Sequence, residues 1–190
     1  IHTVAHILNI TAYKFTNIAD REDLRDLLST RAELAQLRGT ILLSTEGINM
    51  CLAGEATLLR AFLAMLIADA RFADSTWKES WFDEQPFRRF LAKLKNEIIR
   101  MNHPAIQPAS GRAHGVVPTT LKRWLDQGHD DTGKPVVMLD MRNAFEVDYG
   151  TFNGAINWRI TKFTDFPTAL AAHKHELYDK TVVSFCTGGI

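Results

Sequence analysis

The order in which hydrophobic patterns follow one another in the first hundred residues constrains the fold of this chain more than any other feature. Residues 4–15 are mostly apolar or β-branched, which predicts a strand. Asp20 stands where it can cap a helix that ends before Gly39. We expect this helix to run to about Leu37 and to bury one stripe of leucines, namely Leu24, Leu27, Leu28 and Leu34.

A hairpin, a second helix and further strands follow. Residues 40–44 and 48–53 flank Thr45-Glu46-Gly47, a spacing typical of two strands joined by a tight turn. Thr57 is the predicted cap of the second helix, whose inward side carries Leu59, Phe62, Leu63, Leu66 and Ile67. Residues 77–82 alternate as a half-buried strand does, and residues 91–99 extend that sheet or pair at its edge. The order β-α-β-β-α-β predicts a ferredoxin-like, or acylphosphatase-like, α+β domain over residues 1–101.

The rest of the chain predicts a linker and a second domain. Residues 102–118 contain three prolines and no hydrophobic periodicity, which indicates a semi-rigid linker. Within residues 119–190, the runs 135–140 and 181–185 are short and apolar, as buried parallel strands are. Three further elements are expected: a helix capped by Thr119 or Thr120 that buries Leu121, Trp124 and Leu125, a short strand at residues 154–156, and a helix from Pro167 to about Leu177. Strands alternating with helices predict an α/β domain with a parallel sheet.

Composition excludes several classes of function. The 22 basic and 22 acidic side chains give a net charge of zero, so bulk charge predicts no tight nonspecific binding to nucleic acid. No apolar run approaches the roughly 20 residues that span a bilayer, and the first residues do not read as a signal peptide, so we expect no membrane partner. Two distant cysteines indicate reduced thiols and a cytoplasmic protein. No cluster of His and Cys has the spacing of metal ligands, so no metal site is predicted.

One local basic cluster leaves two interpretations open. Its members are Arg88, Arg89, Lys93, Lys95 and Arg100. A solvated strand edge is the favoured reading from sequence alone, and contact with nucleic-acid phosphates is the alternative.

The second apolar run of the C-terminal domain ends in a reactive side chain. Cys186 directly follows residues 181–185 and precedes Thr187, Gly188 and Gly189. Ligands bind at the carboxyl ends of parallel strands, and glycines let successive backbone N–H groups turn toward one point. Such a loop lowers the pKa of a thiol, so we predict that Cys186 is a nucleophilic thiolate. The alternative is a small apolar side chain that ends a core strand, which is our interpretation of Cys51.

The first apolar run of the same domain also ends in polar residues. Asp140 and Arg142 follow it directly. Arg142 has the donor geometry to bind an anionic group, or it locks the loop by pairing with Glu146 or Asp148. For Asp140 we favour a supporting role, in which it caps backbone amides beside the site, and Glu146 is a second supporting residue.

At this point the sequence resembles a known family. Asp140-Met-Arg-Asn-Ala-Phe-Glu146, Gly150-Thr-Phe-Asn-Gly-Ala-Ile156 and Cys186-Thr-Gly-Gly-Ile190 resemble rhodanese domains. Tyr13-Lys-Phe-Thr-Asn-Ile-Ala-Asp20 and Thr45-Glu-Gly-Ile-Asn49 are more specific. Together these motifs resemble the rhodanese-domain tRNA uridine hydroxylases, the TrhO/YceA or UPF0176 family, over nearly the whole chain.

The resemblance implies an activity. Members of that family form 5-hydroxyuridine at wobble position 34 of tRNA in an oxygen-dependent reaction, and the cysteine matching Cys186 is the essential residue. The resemblance implies tRNA as partner, and molecular oxygen with an unidentified electron donor as co-reactants; the sequence carries no flavin, haem or metal motif. Family members continue past Ile190 with an Arg, a second Cys and the rest of the rhodanese sheet. We therefore expect this chain to be a fragment that is inactive as it stands. Oligomeric state stays open.

Three other functions remain in competition. A thiosulfate sulfurtransferase or persulfide carrier uses the same Cys186 with a small sulfur donor. A cysteine phosphatase of the rhodanese-like type has a longer loop with an Arg six positions after the cysteine. A noncatalytic RNA- or protein-binding module leaves Cys186 inert, and the Thr-Gly-Gly that follows the thiol argues against it.

Overall fold

The protein forms two compact units. The computed structural model describes residues 6–103, 105–111 and 113–188. The first unit comprises residues 6–99 together with 103 and 105–111, and the second comprises residues 100–102 together with 113–188. Residues 103 and 105–111 lie within the linker predicted from sequence, and they cluster with the first unit.

The first unit is a five-stranded mixed sheet with two helices. Its elements are β1 (Ile7–Phe15), α1 (Arg21–Leu34), β2 (Arg38–Ser44), β3 (Gly47–Gly54), α2 (Ala56–Ile67), β4 (Trp77–Phe82) and β5 (Phe90–Leu94). The strand order is β4-β1-β3-β2-β5. The β1–β3, β1–β4 and β2–β3 pairs are antiparallel, whereas β5 adds to the edge of β2 in parallel. The predicted β-α-β-β-α-β order is therefore confirmed, with one additional edge strand.

Both helices pack on one face of this sheet. Alternate residues of the central strands, such as Leu8 and Ile10 of β1, are fully buried in one cluster with the inner residues of the helices. The α1 residues in that cluster are Leu24, Leu28 and Ala32, spaced by four. The leucine stripe predicted for α1 is wrong at Leu27 and at Leu34, which is 73% exposed. Leu34 lies two residues beyond Ala32, about 200° farther around the helix, so it faces away from the sheet.

Local chemistry at two positions differs from the sequence prediction. The helix α1 ends at Leu34, and Gly39 lies inside β2 with a φ of +125°, where a Cβ would stand 2.0 Å from the carbonyl oxygen of Cys51. Glycine is therefore required at position 39 because the neighbouring backbone approaches closely, and not because a helix ends there.

Glu55, not Thr57, caps α2: its carboxylate accepts hydrogen bonds from the backbone N–H groups of Thr57 and Leu58, each at 3.0 Å. These two bonds lower the pKa of Glu55.

The predicted hairpin between β2 and β3 is confirmed, and its turn serves as an anchor. Backbone carbonyls of Thr45 and Glu46 accept hydrogen bonds from Ile18 N and Thr16 N, both at 3.0 Å. The Glu46 carboxylate accepts a further bond from Ile98 N at 2.6 Å. The turn thus ties the β1–α1 connection and the end of the first unit to the sheet.

The second unit contains a two-stranded parallel sheet and three helices among its described residues. Its elements are α3 (Pro118–Gln127), β6 (Val136–Asp140), α4 (Ala144–Val147), a 3₁₀ turn (Phe163–Asp165), α5 (Phe166–His173), a second 3₁₀ turn (Lys174–Leu177) and β7 (Thr181–Phe185). Strands β6 and β7 pair in parallel, which confirms the predicted sheet type. The strand predicted at residues 154–156 is reduced to one parallel bridge between Ile156 and Leu139.

Helix α3 departs from its prediction in two respects. It begins at Pro118 without a side-chain cap, so neither Thr119 nor Thr120 has the predicted role, because proline occupies the first helical position. Leu121 and Trp124 are only half-buried, and Leu125 is exposed. None of the helices in the described ranges is long and apolar enough to cross a membrane.

Candidate functional site

The two strands of the second unit end side by side, and this brings the predicted site residues together. Asp140 is the register partner of Phe185, so the residues after each strand leave the sheet at the same edge. Met141 N donates a hydrogen bond to the carbonyl oxygen of Phe185 at 3.1 Å. Cys186 follows directly and is half-buried rather than sealed in a core. Gly189, the last residue of the predicted loop, lies outside the described residues.

Asp140 is the most heavily bonded side chain at this edge. Its carboxylate is fully buried and accepts three hydrogen bonds from Arg142: from N at 3.0 Å, from Nε at 2.9 Å and from Nη2 at 2.7 Å. The Thr151 hydroxyl donates a fourth at 2.7 Å. Burial alone would raise the pKa of Asp140, but the bonds from Arg142 and Thr151 outweigh it and hold that pKa below its usual value.

Arg142 contacts three segments of the chain around the site. Besides Asp140, its Nη2 donates to the carbonyl oxygen of Gly150 at 2.7 Å. Its guanidinium carbon lies 5.5 Å from the centre of the Phe185 ring, which also packs edge-to-face on Phe152 at 5.0 Å. The hydrogen bonds that its guanidinium donates to Asp140 raise the pKa of Arg142, so the group stays charged. The partner that locks this loop is Asp140 and not Glu146 or Asp148; Asp148 pairs instead with Arg159.

Glu146 joins the Cys186 loop to the β6 side of the site. It lies in α4, the four-residue helix that follows Asn143. One carboxylate oxygen accepts from Asn143 N at 3.3 Å, and the other accepts from the Thr187 hydroxyl. Because Thr187 follows Cys186, this contact holds the start of the loop in place.

Sequence reasoning missed the contributions of Thr151, Gly150 and Asn157. The Asn157 amide donates to the carbonyl oxygen of Asp140 at 2.9 Å, and the other two bond directly to the Asp140–Arg142 pair. The two glycines of residues 150–154 indicate a loop in the sequence, but the positions of these glycines do not show which residues the loop contacts.

Cys51, the other thiol, lies in a different environment from the predicted core. It is half-buried on the face of the first sheet that is not covered by the helices. Its sulfur lies 3.7 Å from the Thr11 hydroxyl oxygen and 4.0 Å from the Asn9 side-chain oxygen. The prediction of core packing is therefore wrong for this thiol.

The basic cluster divides between the two units. Arg88, Arg89, Lys93 and Lys95 line the edge strand β5 and the residues beside it, whereas Arg100 groups with the second unit. All five are exposed, and within residues 6–103, 105–111 and 113–188 none of them forms an ion pair. In the same ranges, no group of three or more His, Cys, Asp or Glu side chains is placed to hold a metal ion.

Comparison with known proteins shows which family this chain is similar to. Residues 7–98 match the family described as UPF0176 acylphosphatase like domain. A protein of Variovorax paradoxus named tRNA uridine(34) hydroxylase is 64% identical over 97% of this chain and 70% of its own length. Proteins of the same name from Delftia acidovorans and Cupriavidus taiwanensis are 61% and 59% identical, and the chain covers 71% and 65% of their lengths.

Fold and site together define a protein in which an acylphosphatase-like sheet precedes a separate parallel sheet with a thiol at its strand end. The high sequence identity to the tRNA uridine(34) hydroxylases, over nearly the whole chain, then identifies its family. The chain belongs to the tRNA uridine(34) hydroxylase family, and the family resemblance inferred from its motifs is confirmed.

Proposed function

We propose that this protein is a cytoplasmic tRNA-modifying oxidoreductase that converts uridine at position 34 of tRNA into 5-hydroxyuridine, with Cys186 as its essential residue. The observation that carries the proposal is the 64% identity, over 97% of the chain, to a protein named for that reaction. The position of Cys186 supports it, because the thiol stands half-buried at the carboxyl end of β7, where ligands of parallel sheets bind.

The surroundings of Cys186 support a rhodanese-type loop. The residues after the thiol are small and polar, and Glu146 and the Arg142–Asp140 pair hold both sides of the strand edge. Backbone N–H groups that converge on the sulfur stabilise a thiolate or a persulfide. The supporting residues therefore position the loop and leave the reactive atom to Cys186.

Hydroxylation of uridine adds one oxygen atom to C5 and consumes two electrons from a donor. Uridine, molecular oxygen, two electrons and two protons give 5-hydroxyuridine and water, so an electron donor accompanies oxygen in the reaction. In one route the thiolate adds to C6 of the uracil ring, which makes C5 electron-rich toward the oxidant; loss of the C5 proton then expels the thiolate. In a second route the outer sulfur of a Cys186 persulfide (R–S–SH) supplies the two electrons, and it takes up the second oxygen atom as R–S–SOH in place of the water.

We assign contact with the tRNA phosphates to the exposed cations along β5. Arg88, Arg89, Lys93 and Lys95 lie along one strand edge without carboxylate partners among the described residues, and Arg100 belongs to the second unit. When cations of a protein neutralise phosphates, the counterions condensed on the nucleic acid are released, and the affinity therefore falls as the salt concentration rises.

The two cysteines of the chain provide a matched test. Cells lacking the gene are complemented with the full-length gene carrying Cys186→Ser or Cys51→Ser, and tRNA nucleosides are measured by mass spectrometry. Loss of 5-hydroxyuridine with Cys186→Ser, and its retention with Cys51→Ser, is the expected result. Unchanged 5-hydroxyuridine with Cys186→Ser contradicts both routes. Thiocyanate formation from thiosulfate and cyanide without any dependence on tRNA identifies a sulfurtransferase instead.

A further inference from the structure

The first sheet has one face that its helices do not cover. Because successive strand residues point to opposite sides, the alternates of the buried Leu8, Ile10 and Ala12 lie on this face. We call it the open face. The register places these strand residues on it: Ile7, Asn9, Thr11, Tyr13, Phe15, Arg38, Thr40, Leu42, Ser44, Gly47, Asn49, Cys51, Ala53, Lys78, Ser80, Phe82, Leu91 and Lys93.

The charge on the open face is of one sign. Among these strand residues there are three cations, Arg38, Lys78 and Lys93, and no carboxylate. The chain as a whole has zero net charge, so this face differs from the molecular average. Lys78 on β4 and Lys93 on β5 are exposed and stand at opposite edges of the sheet, four strand spacings or about 19 Å apart. A face of this kind is complementary to a polyanion that crosses the strands.

Two aromatic side chains lie together between these edges. Tyr13 and Phe15 are half-buried on β1, the strand next to the β4 edge, with ring centres 5.8 Å apart at an angle of 65°. Both rings line a cavity of about 350 Å³ whose other walls include Pro108. Lys14 also lines it, but its ammonium group pairs with Asp74 at 2.7 Å. The cavity is therefore locally neutral, which suits a small uncharged ring better than a phosphate.

Side chains that recognise base edges lie beside the aromatic pair. Asn9 and Asn49 are half-buried amides on the same face, each with both donor and acceptor groups. The Asn9 amide donates to the Ser80 hydroxyl at 3.0 Å, which holds it in a defined orientation. Aromatic rings, amides and flanking cations on one sheet face are the combination by which sheets bind unpaired nucleotides.

We propose that the open face binds a single-stranded segment of RNA, with unpaired bases stacked on Tyr13 and Phe15 and the phosphates near Lys78 and Lys93. This inference rests on the proposed tRNA hydroxylase function, and it identifies the tRNA loop that carries position 34 as the occupant. Base contacts are thereby assigned to the first unit, whereas the reacting thiol belongs to the second.

Binding is tested with the chain itself and an RNA hairpin that reproduces a tRNA anticodon stem and loop. Fluorescence anisotropy gives the Kd over a series of salt concentrations, and ultraviolet crosslinking followed by peptide mass spectrometry locates the contact. The test protein carries Tyr13→Leu and Phe15→Leu, which keep apolar bulk but remove the rings. Trp81→Leu is the matched control, because Trp81 is an exposed aromatic on β4 that shares the register position of Leu8 and so lies on the opposite face.

We expect the double variant to bind roughly tenfold more weakly or worse. Trp81→Leu binds normally, and the crosslinks fall in the peptide that contains Tyr13 and Phe15. A second protein with Lys78→Gln and Lys93→Gln alters only exposed side chains, so it remains informative even where the double variant folds poorly. Its slope of log K against log salt falls by about 0.7 for each phosphate contact that is lost.

Failure of this inference is distinguishable from failure of the proposed function. Unchanged Kd in both sets of variants, crosslinks confined to other peptides, or no RNA binding by the unaltered chain overturns the inference. None of these results depends on Cys186, whose substitution tests the hydroxylase assignment independently. Loss of 5-hydroxyuridine with Cys186→Ser together with normal RNA binding by the Tyr13/Phe15 variant means that the activity stands and the base contacts lie elsewhere.

Discussion

Replacing Asp140 with asparagine removes one charge from the centre of the site while leaving its shape almost unchanged. The carboxylate has no exposed surface, and each of its oxygens accepts two hydrogen bonds. In Asp140→Asn one oxygen becomes an NH₂ group, so two donors from Arg142 or Thr151 face another donor. The Arg142 guanidinium also loses its counter-charge.

The expected loss of stability follows from this geometry. Removing one partner of a buried ion pair costs about 3–5 kcal/mol. Arg142 retains some contact with water, since its side chain is 19% exposed, and this places the loss for Asp140→Asn near the lower end, about 3 kcal/mol. A free-energy change of that size increases the population of the locally open state roughly a hundredfold.

Hydrogen exchange measured by mass spectrometry checks this prediction locally. The peptides that cover β6 and the Gly150 loop exchange roughly a hundredfold faster in Asp140→Asn at neutral pH. Asp148→Asn is the matched control, because it makes the same chemical change at an exposed pair with Arg159, and exposed pairs contribute little. Equal exchange in Asp140→Asn and the unaltered protein, or equal damage from Asp148→Asn, would refute the reasoning.

The pKa of Asp140 adds a test of sign. Because its folded-state pKa lies below the unfolded value, its stabilising contribution is complete above about pH 4 and is lost as the pH falls through the folded-state pKa. Urea unfolding at neutral pH and at about pH 3 should therefore show a smaller difference between the two proteins in acid. A difference that widens in acid means that the carboxylate is not stabilised by its partners.

Two further predictions concern the first unit. Leu28→Ala should cost about 2–5 kcal/mol in urea unfolding because Leu28 is fully buried, whereas Leu34→Ala on the same helix should change stability little; equal effects would contradict the stripe spaced by four. Gly47→Ala places a Cβ 2.2 Å from the Lys14 carbonyl oxygen and should sharply lower the midpoint of thermal unfolding, whereas Gly115→Ala meets no atom within 4 Å and serves as the control. A normal midpoint for Gly47→Ala would mean that the turn adjusts.

Strand positions could be predicted from sequence where the local pattern was unambiguous. Residues 77–82 alternate, and residues 181–185 form a short apolar run between turns; both are strands with those bounds. The parallel addition of β5 to β2 could only be left open, because the chain between them is long and no local pattern records which edge it returns to. The same limit hid the open face, since alternation shows which residues share a side but not the order of the strands.

Errors at helix ends have a similar origin. Glu55 and Thr57 both carry oxygen atoms that can bond to free N–H groups at the start of α2, and only the backbone conformation selects Glu55. At the site, the sequence showed that Asp140, Arg142 and Cys186 follow strand ends. It could not show that the Gly150 loop returns to bond Arg142, because that contact depends on the loop's path in space.

The internal pairing of Arg142 bears on the reactivity that we propose for Cys186. From the sequence, Arg142 was a candidate to bind an anionic group beside the site. The charge of Arg142 is already matched by the buried Asp140, and its Nε and Nη2 groups are engaged with Asp140 and with the Gly150 carbonyl. Little of that charge remains to act on a neighbouring anion. We therefore expect a thiolate or persulfide at Cys186 to be stabilised by the backbone N–H groups of its own loop, and Arg142 to act by keeping Phe185 and the end of β7 in place.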